Sequence, residues 1–207
     1  MWKNIVDSTI KDVKINSSWI FRATVIFFGS SLLFGILTFL NPAEVEQLFY
    51  GYFDEIEQIG EQIFSTNPLV GTLMLFWNNF MAAMVMMLLG IIVAIPTFFA
   101  LAMNGGALGV LAPLVSLQGE NPFLLYLFGI VPHGIFEIPA ILIAGGLGLK
   151  IGFQLIFPPP NFNRWASIKN NYNQGIKLLP GIISLLAMAA VVEIFVTPLL
   201  LSLTIGY

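Results

Sequence analysis

Four apolar runs constrain this chain more than any other feature: residues 19–40, 69–117, 122–157 and 176–205. About 20 apolar residues in a helix cross the roughly 30 Å hydrocarbon core of a bilayer. The second run is long enough for two crossings. Pro96 divides it, because proline suits the first turn of a helix and disfavours helix in the residue before it. A tight turn is therefore expected near Ala94 to Pro96. Inside lipid every backbone N–H and C=O must find a partner within the segment, so runs of this length read as helices. Only 9% of residues are charged, against about 25% in soluble domains. The expected fold is an all-α polytopic membrane protein, residues 1–207 forming one integral membrane domain, with about five transmembrane helices.

The placement of charge tests that count. The basic residues Lys3, Lys11, Lys14, Arg22, Lys150, Arg164, Lys169 and Lys177 fall either at the start of the chain or around the connection between the fourth and fifth spans. Residues 41–68 contain no lysine or arginine but carry Glu44, Glu46, Asp54, Glu55, Glu57 and Glu61. Under the positive-inside rule, five spans put the N-terminus in the cytoplasm, the acidic segment outside and the C-terminus outside; four spans would put Lys150 and Arg164 outside. A cell-membrane, multi-pass location follows. Residues 1–18 read as a cytoplasmic amphipathic lead, with Ile5, Val6, Ile10 and Val13 on one face, more in the manner of an interfacial helix than of a partner site. The first apolar run starts late and is about twice a signal-peptide core, so it is expected to stay as a span. Residues 158–175, opening on Pro158, Pro159 and Pro160, read as an extended cytoplasmic loop, with Arg164 and Trp165 at headgroup level. In residues 41–68, Val45, Leu48, Phe49, Tyr52, Phe53, Ile56, Ile59 and Ile63 recur at steps of three and four. That pattern makes an external amphipathic helix, resting on the bilayer or the bundle, or docking an extracytoplasmic protein.

Inside the fourth run stand the only histidine, His133, and, four residues on, Glu137. Spaced i and i+4, they share one helix face. Each ionisable group in hydrocarbon costs roughly 2.5–3.5 kcal/mol even on the lenient insertion scale, so such groups face protein or a cavity and often mark function. A rise of 1.5 Å per residue puts Asn78 and Asn79 roughly 14 Å deep, Asn104 roughly 12 Å, and His133 and Glu137 roughly 15–21 Å, all near the midplane. Glu193, counted from Lys177, falls nearer the external side. Backbone irregularity is expected at the same depth. Pro132 suits the start of a new half-helix and Pro139 removes a ladder hydrogen bond from the carbonyl of Ile135, while Asn104-Gly105-Gly106 is a candidate break in the third span. Broken helices occur at that depth only where they are buried or line a cavity, as in many transporters. The spacings Gly105 to Gly109 and Gly148 to Gly152 suit close helix packing.

Several chemistries drop out. A net charge of −3 and pI near 5.0 give no basis for nucleic-acid binding. With no cysteine there is no disulfide, thiolate zinc site or cysteine nucleophile. No Gly-x-Ser-x-Gly, phosphate-binding glycine loop or His-Glu-x-x-His pattern occurs. The intramembrane polar set is then His133, Glu137, Asn78, Asn79, Asn104 and Glu193. Read alone, the His133–Glu137 pair is a structural hydrogen-bonded pair, a metal site with zinc as the candidate ion, or a proton- or substrate-handling pair. As metal ligands they number only two, and Glu193 or a second subunit would have to complete the set.

The stretch Pro132-His-Gly-Ile-Phe-Glu-Ile-Pro139, followed by Ala144-Gly-Gly-Leu-Gly-Leu149, resembles the signature of the stage II sporulation protein M family, an uncharacterised integral membrane family. Asn78-Asn79, Asn104-Gly105, the five spans and the acidic segment after the first resemble it too. The family's namesake is a scaffold that recruits a peptidoglycan-degrading pair of proteins to the septal membrane during forespore engulfment. Homologues occur in bacteria and archaea that never sporulate, so the resemblance implies matching positions for Asn78, Asn104, His133 and Glu137 rather than a sporulation role. On residues and resemblance together, the leading expectation is a non-enzymatic scaffold or assembly factor. It would form a homo-oligomer among membrane lipids and organise cytoplasmic or extracytoplasmic protein partners. The alternatives are a permease-type transport component with a midplane polar site, and a metal-dependent intramembrane hydrolase using His133 and Glu137.

Overall fold

A computed structural model describes residues 2–205, with side chains from residue 9 to residue 203. The expected contacts of Lys3, Ile5 and Val6 lie outside the described side chains. The helices are α1 (Trp2–Ile15), α2 (Ser17–Leu40), α3 (Pro42–Phe64), α4 (Pro68–Leu88), α5 (Ile95–Leu117), α6 (Pro122–Leu124), α7 (Val131–Ile156), α8 (Arg164–Phe195) and α9 (Thr197–Ile205), and no strand occurs among the described residues. Five stretches are long and apolar enough to cross a membrane: Ser17–Leu40, Pro68–Ile91, Ile95–Leu117, Pro122–Ile156 and Arg164–Leu203. The protein is an all-α, multi-pass membrane protein, as its apolar runs require.

Local chemistry sets the boundaries. The Asn67 side chain accepts from Leu69 N–H at 2.9 Å and caps α4, with Pro68 at its first position. Between α4 and α5 a 3₁₀ turn (Leu89–Ile91) leads to Val93 and Ala94, both at positive φ, and the turn lies where Pro96 predicts it. Pro132 also marks a break: a π-helical segment (Leu125–Ile130) precedes α7, and proline lies in the first turn of α7. The Tyr126 hydroxyl in that segment donates to the Leu108 carbonyl of α5 and ties the irregular turn to the bundle.

Two expectations need correction. The third span is not broken at Asn104-Gly105-Gly106, for α5 runs through it. Those glycines instead admit α2: a Cβ on Gly105 would fall on the Phe27 carbonyl, and one on Gly109 on that of Ser31. Residues 158–175 are not one extended loop, because α8 begins at Arg164, capped by Asn163, whose side chain accepts from Ala166 N–H at 2.7 Å. Ile168, Asn171 and Gly175 in its first turns are buried, and the Ser167 hydroxyl and Asn171 amide both donate to Gln154 of α7. Helix α1 packs along α8, with Val13 against the core and Thr9 facing Gly181.

Helix α7 is the axis of the bundle. Every residue from Ala140 to Gly152 is buried, by α2, α4, α5 and α8 together. Leu147 and Ile151 interlock with Leu178, Ile182 and Leu186 of α8. Helix α3 does not lie away from the bundle. Val45 and Phe49 pack on Ala107 and Val110 of α5, whereas Ile63 packs on Leu75 of α4 and Ala190 of α8. Its apolar stripe thus straps one pair of spans to another, and its six carboxylates stay exposed.

Candidate functional site: a polar cavity within the bundle

Beneath that strap lies a cavity of about 480 Å³, walled by α3, α4, α5, α7 and α8. All six polar residues singled out above line it: Asn78 and Asn79 from α4, Asn104 from α5, His133 and Glu137 from α7, and Glu193 from α8. The helices deliver them by periodicity. On α4, Leu75, Asn79, Ala83 and Met86 face inward, Asn78 and Ala82 line the cavity at its open, exposed edge, and Leu73, Trp77, Met81, Val85 and Leu88 are exposed on the other side. On α7 the i, i+4 spacing keeps His133 and Glu137 on one side, with Ile141 continuing it a turn deeper.

The three ionisable groups converge. One donor atom from each of His133, Glu137 and Glu193 can be chosen so that all lie within 4.8 Å of one another. Glu193 is therefore level with the pair rather than nearer the external side. The π-helical turn advances the chain less per residue than an α-helix, so a count at 1.5 Å per residue places His133 too deep. The Thr197 hydroxyl, on the first turn of α9, lies 3.4 Å from His133 Nδ1 and orients the ring. Asn104 Nδ2 donates to the Ala100 carbonyl at 2.8 Å. That bond aims the amide group along its own helix. Asn78 Nδ2 is 3.5 Å from Asn79 Oδ1.

Two lining residues escape a sequence reading: Tyr52 and Glu55 of α3. Tyr52 counts as one more apolar member of the α3 stripe, and Glu55 as one of several solvated carboxylates. The only signal is that they lie three residues apart at the centre of the strap. Burial, and then the carboxylates of Glu137 and Glu55, push the Tyr52 phenol up to about 12, so it is a neutral donor at the cavity wall.

Among the described residues no lysine or arginine lines the cavity. The wall offers an imidazole, carboxylates, amides and a phenol: acceptors for a cation or for a ligand rich in N–H or O–H groups.

The sequence model of the family described as stage II sporulation protein M matches residues 24–198, a stretch containing every residue that lines the cavity. An uncharacterised protein of Methanocaldococcus jannaschii is similar, at 33% identity over 121 residues, or 58% of this chain and 67% of the relative. No solved structure matches the chain. The chain belongs to the stage II sporulation protein M family.

Proposed function

We propose that this protein is a permease-type membrane component that binds a small cationic or polar ligand in the cavity, with α3 as the cover on its outer side. The observation that carries this reading is the cavity itself. Ionisable groups are costly within a membrane, so a bundle serving only as a framework has no need to gather them round a hollow of about 480 Å³. That volume falls within the roughly 300–1,000 Å³ typical of small-ligand sites. The π-helical break before His133 supports it, since such irregular turns are frequent at functional sites. In this reading the positive-inside rule sets the orientation, with the N-terminus cytoplasmic and α3 and the C-terminus outside.

A second reading is favoured by a separate observation. The carboxylates of Glu44, Glu46, Asp54, Glu55, Glu57 and Glu61 are all exposed on α3, a surface suited to a basic extracytoplasmic protein. This is the scaffold role that the family's namesake suggests, exercised by a homo-oligomer that organises its partners. The two readings differ in what water reaches. In sealed vesicles, a water-soluble carbodiimide with an amine nucleophile is expected to modify Glu193 and Glu137 as well as the α3 acids, read by peptide mass. Modification confined to the α3 acids contradicts the permease reading and leaves the scaffold.

A further inference from the structure

We infer that His133, Glu137 and Glu193 bind a divalent transition-metal ion of the zinc and manganese class. The assignment rests on the cavity being a binding site and names its ligand. Two carboxylates held this close in a membrane interior cannot both stay ionised without compensation. Among the described residues no lysine or arginine lines the cavity or approaches either carboxylate as an ion pair. The compensating charge is a cation or protons, and the donor set favours the cation. A metal held by bonds of about 2.0–2.1 Å in tetrahedral geometry has ligand atoms roughly 3.3 Å apart. Donor atoms that already lie within 4.8 Å reach that separation by turning the glutamate side chains, with no movement of the helices.

One imidazole with two carboxylates matches the ligand count of an open site, three protein ligands and a fourth position for water or substrate. Imidazole favours zinc and its neighbours, while carboxylate extends the range towards manganese. An outer shell is present as well. Thr197 Oγ1 lies 3.4 Å from His133 Nδ1, an outer partner that holds the aim of a ligating ring. The amide oxygens of Asn78, Asn79 and Asn104 share the same cavity and supply further weak donors. Two ligands come from the first turns of α7, just after the π-helical break, and the third from the last turn of α8, so the ion would also pin α7 to α8 beside that break.

The test uses the full chain, purified without a polyhistidine tag, stripped with chelator and re-equilibrated with zinc, manganese or cobalt(II). Mass spectrometry of the desalted protein is expected to find about one zinc per protomer, and bound cobalt(II) to absorb in the visible as a low-coordinate ion does. Glu193→Gln and His133→Asn should each weaken uptake more than the roughly 10–100-fold lost with an outer-shell partner, while eluting as the parent does; Glu57→Gln should keep full uptake. Zinc should also protect Glu193 from the carbodiimide. Wild-type protein that elutes normally but takes up no ion overturns the inference. So does uptake that survives Glu193→Gln, which marks an adventitious ion. If no ion binds but Glu193 is modified in sealed vesicles, the metal assignment fails and the cavity reading stands. If Glu193 is inaccessible to reagent and ion alike, both fail.

Discussion

Gly148→Ala is expected to destabilise the bundle by about 3 kcal/mol or more, enough to lose most folded protein from a detergent extract. The reason is geometric. A methyl at this position on α7 would fall on the backbone carbonyl of Met86 and lie 2.7 Å from Thr97 Oγ1. That hydroxyl already donates to the same Met86 carbonyl, at 2.7 Å, within a buried junction. Side chains in a core rotate away from an added methyl, whereas a carbonyl belonging to the α4 ladder cannot. Gly152 repeats the arrangement one turn on, against Gly90 and Ala94, so α7 meets the α4–α5 turn backbone to backbone. Close approach of this kind is how membrane helices associate where no hydrophobic drive exists between them. Gly29 is the control, because a methyl there meets nothing within 4 Å. Gly29→Ala should be neutral or stabilising by up to about 1 kcal/mol through helix propensity. Thermal loss of the monodisperse elution peak measures both.

Lys150→Met is expected to cost about 3 kcal/mol, although the substituent is apolar and of similar length. Lys150 is only 7% exposed, and its ammonium donates to Asn16 Oδ1 and to Gln174 Oε1, each at 2.7 Å. Asn16 is the hinge between α1 and α2 and is itself 1% exposed; its Nδ2 donates back to the Asp12 carbonyl. The ammonium therefore ties the hinge to α7 and α8. Methionine would leave the buried Asn16 oxygen and the half-buried Gln174 oxygen without this donor, at roughly 1–3 kcal/mol each less whatever water recovers. Replacing Gln174 by leucine in the Lys150→Met background should recover part of the loss, since one orphaned acceptor goes with it. Unchanged thermal stability in Lys150→Met would show that the hinge is held by packing alone.

Much of this molecule is legible in its sequence because membrane burial makes the rules local. Hydropathy and Pro96 locate the five spans, and helix rise brings Asn78, Asn79, Asn104, His133 and Glu137 to one layer without any knowledge of packing. What fails is non-local. Tyr52 and Glu55 join the site only because α3 crosses from the α2–α5 pair to the α4–α8 pair, and nothing within α3 specifies its tilt. His133 is placed too deep relative to Glu193 by counting because a π-helical turn has no sequence signature beyond the proline that follows it. Asn104-Gly105-Gly106 reads as a break when glycine is weighed as a helix breaker. In this bundle the glycines serve the approach of α2 instead. Lys150, counted as a loop charge, is buried because Asn16 and Gln174, far from it in the chain, provide acceptors.

The most direct test of the polar cavity is a cysteine scan of α4, from Leu73 to Leu88, in a chain that has no cysteine of its own. Labelling uses a small, membrane-impermeant thiol reagent on protein in sealed vesicles. If the cavity admits water past α3, reactivity follows the cavity-lining positions, high at Asn78, Asn79 and Ala82, and stays low at the exposed apolar positions Trp77, Met81 and Val85. Reactivity that fades with depth and shows no helical period, or silence at Asn78, Asn79 and Ala82 alike, would contradict a water-reached cavity and with it the binding site proposed for this protein.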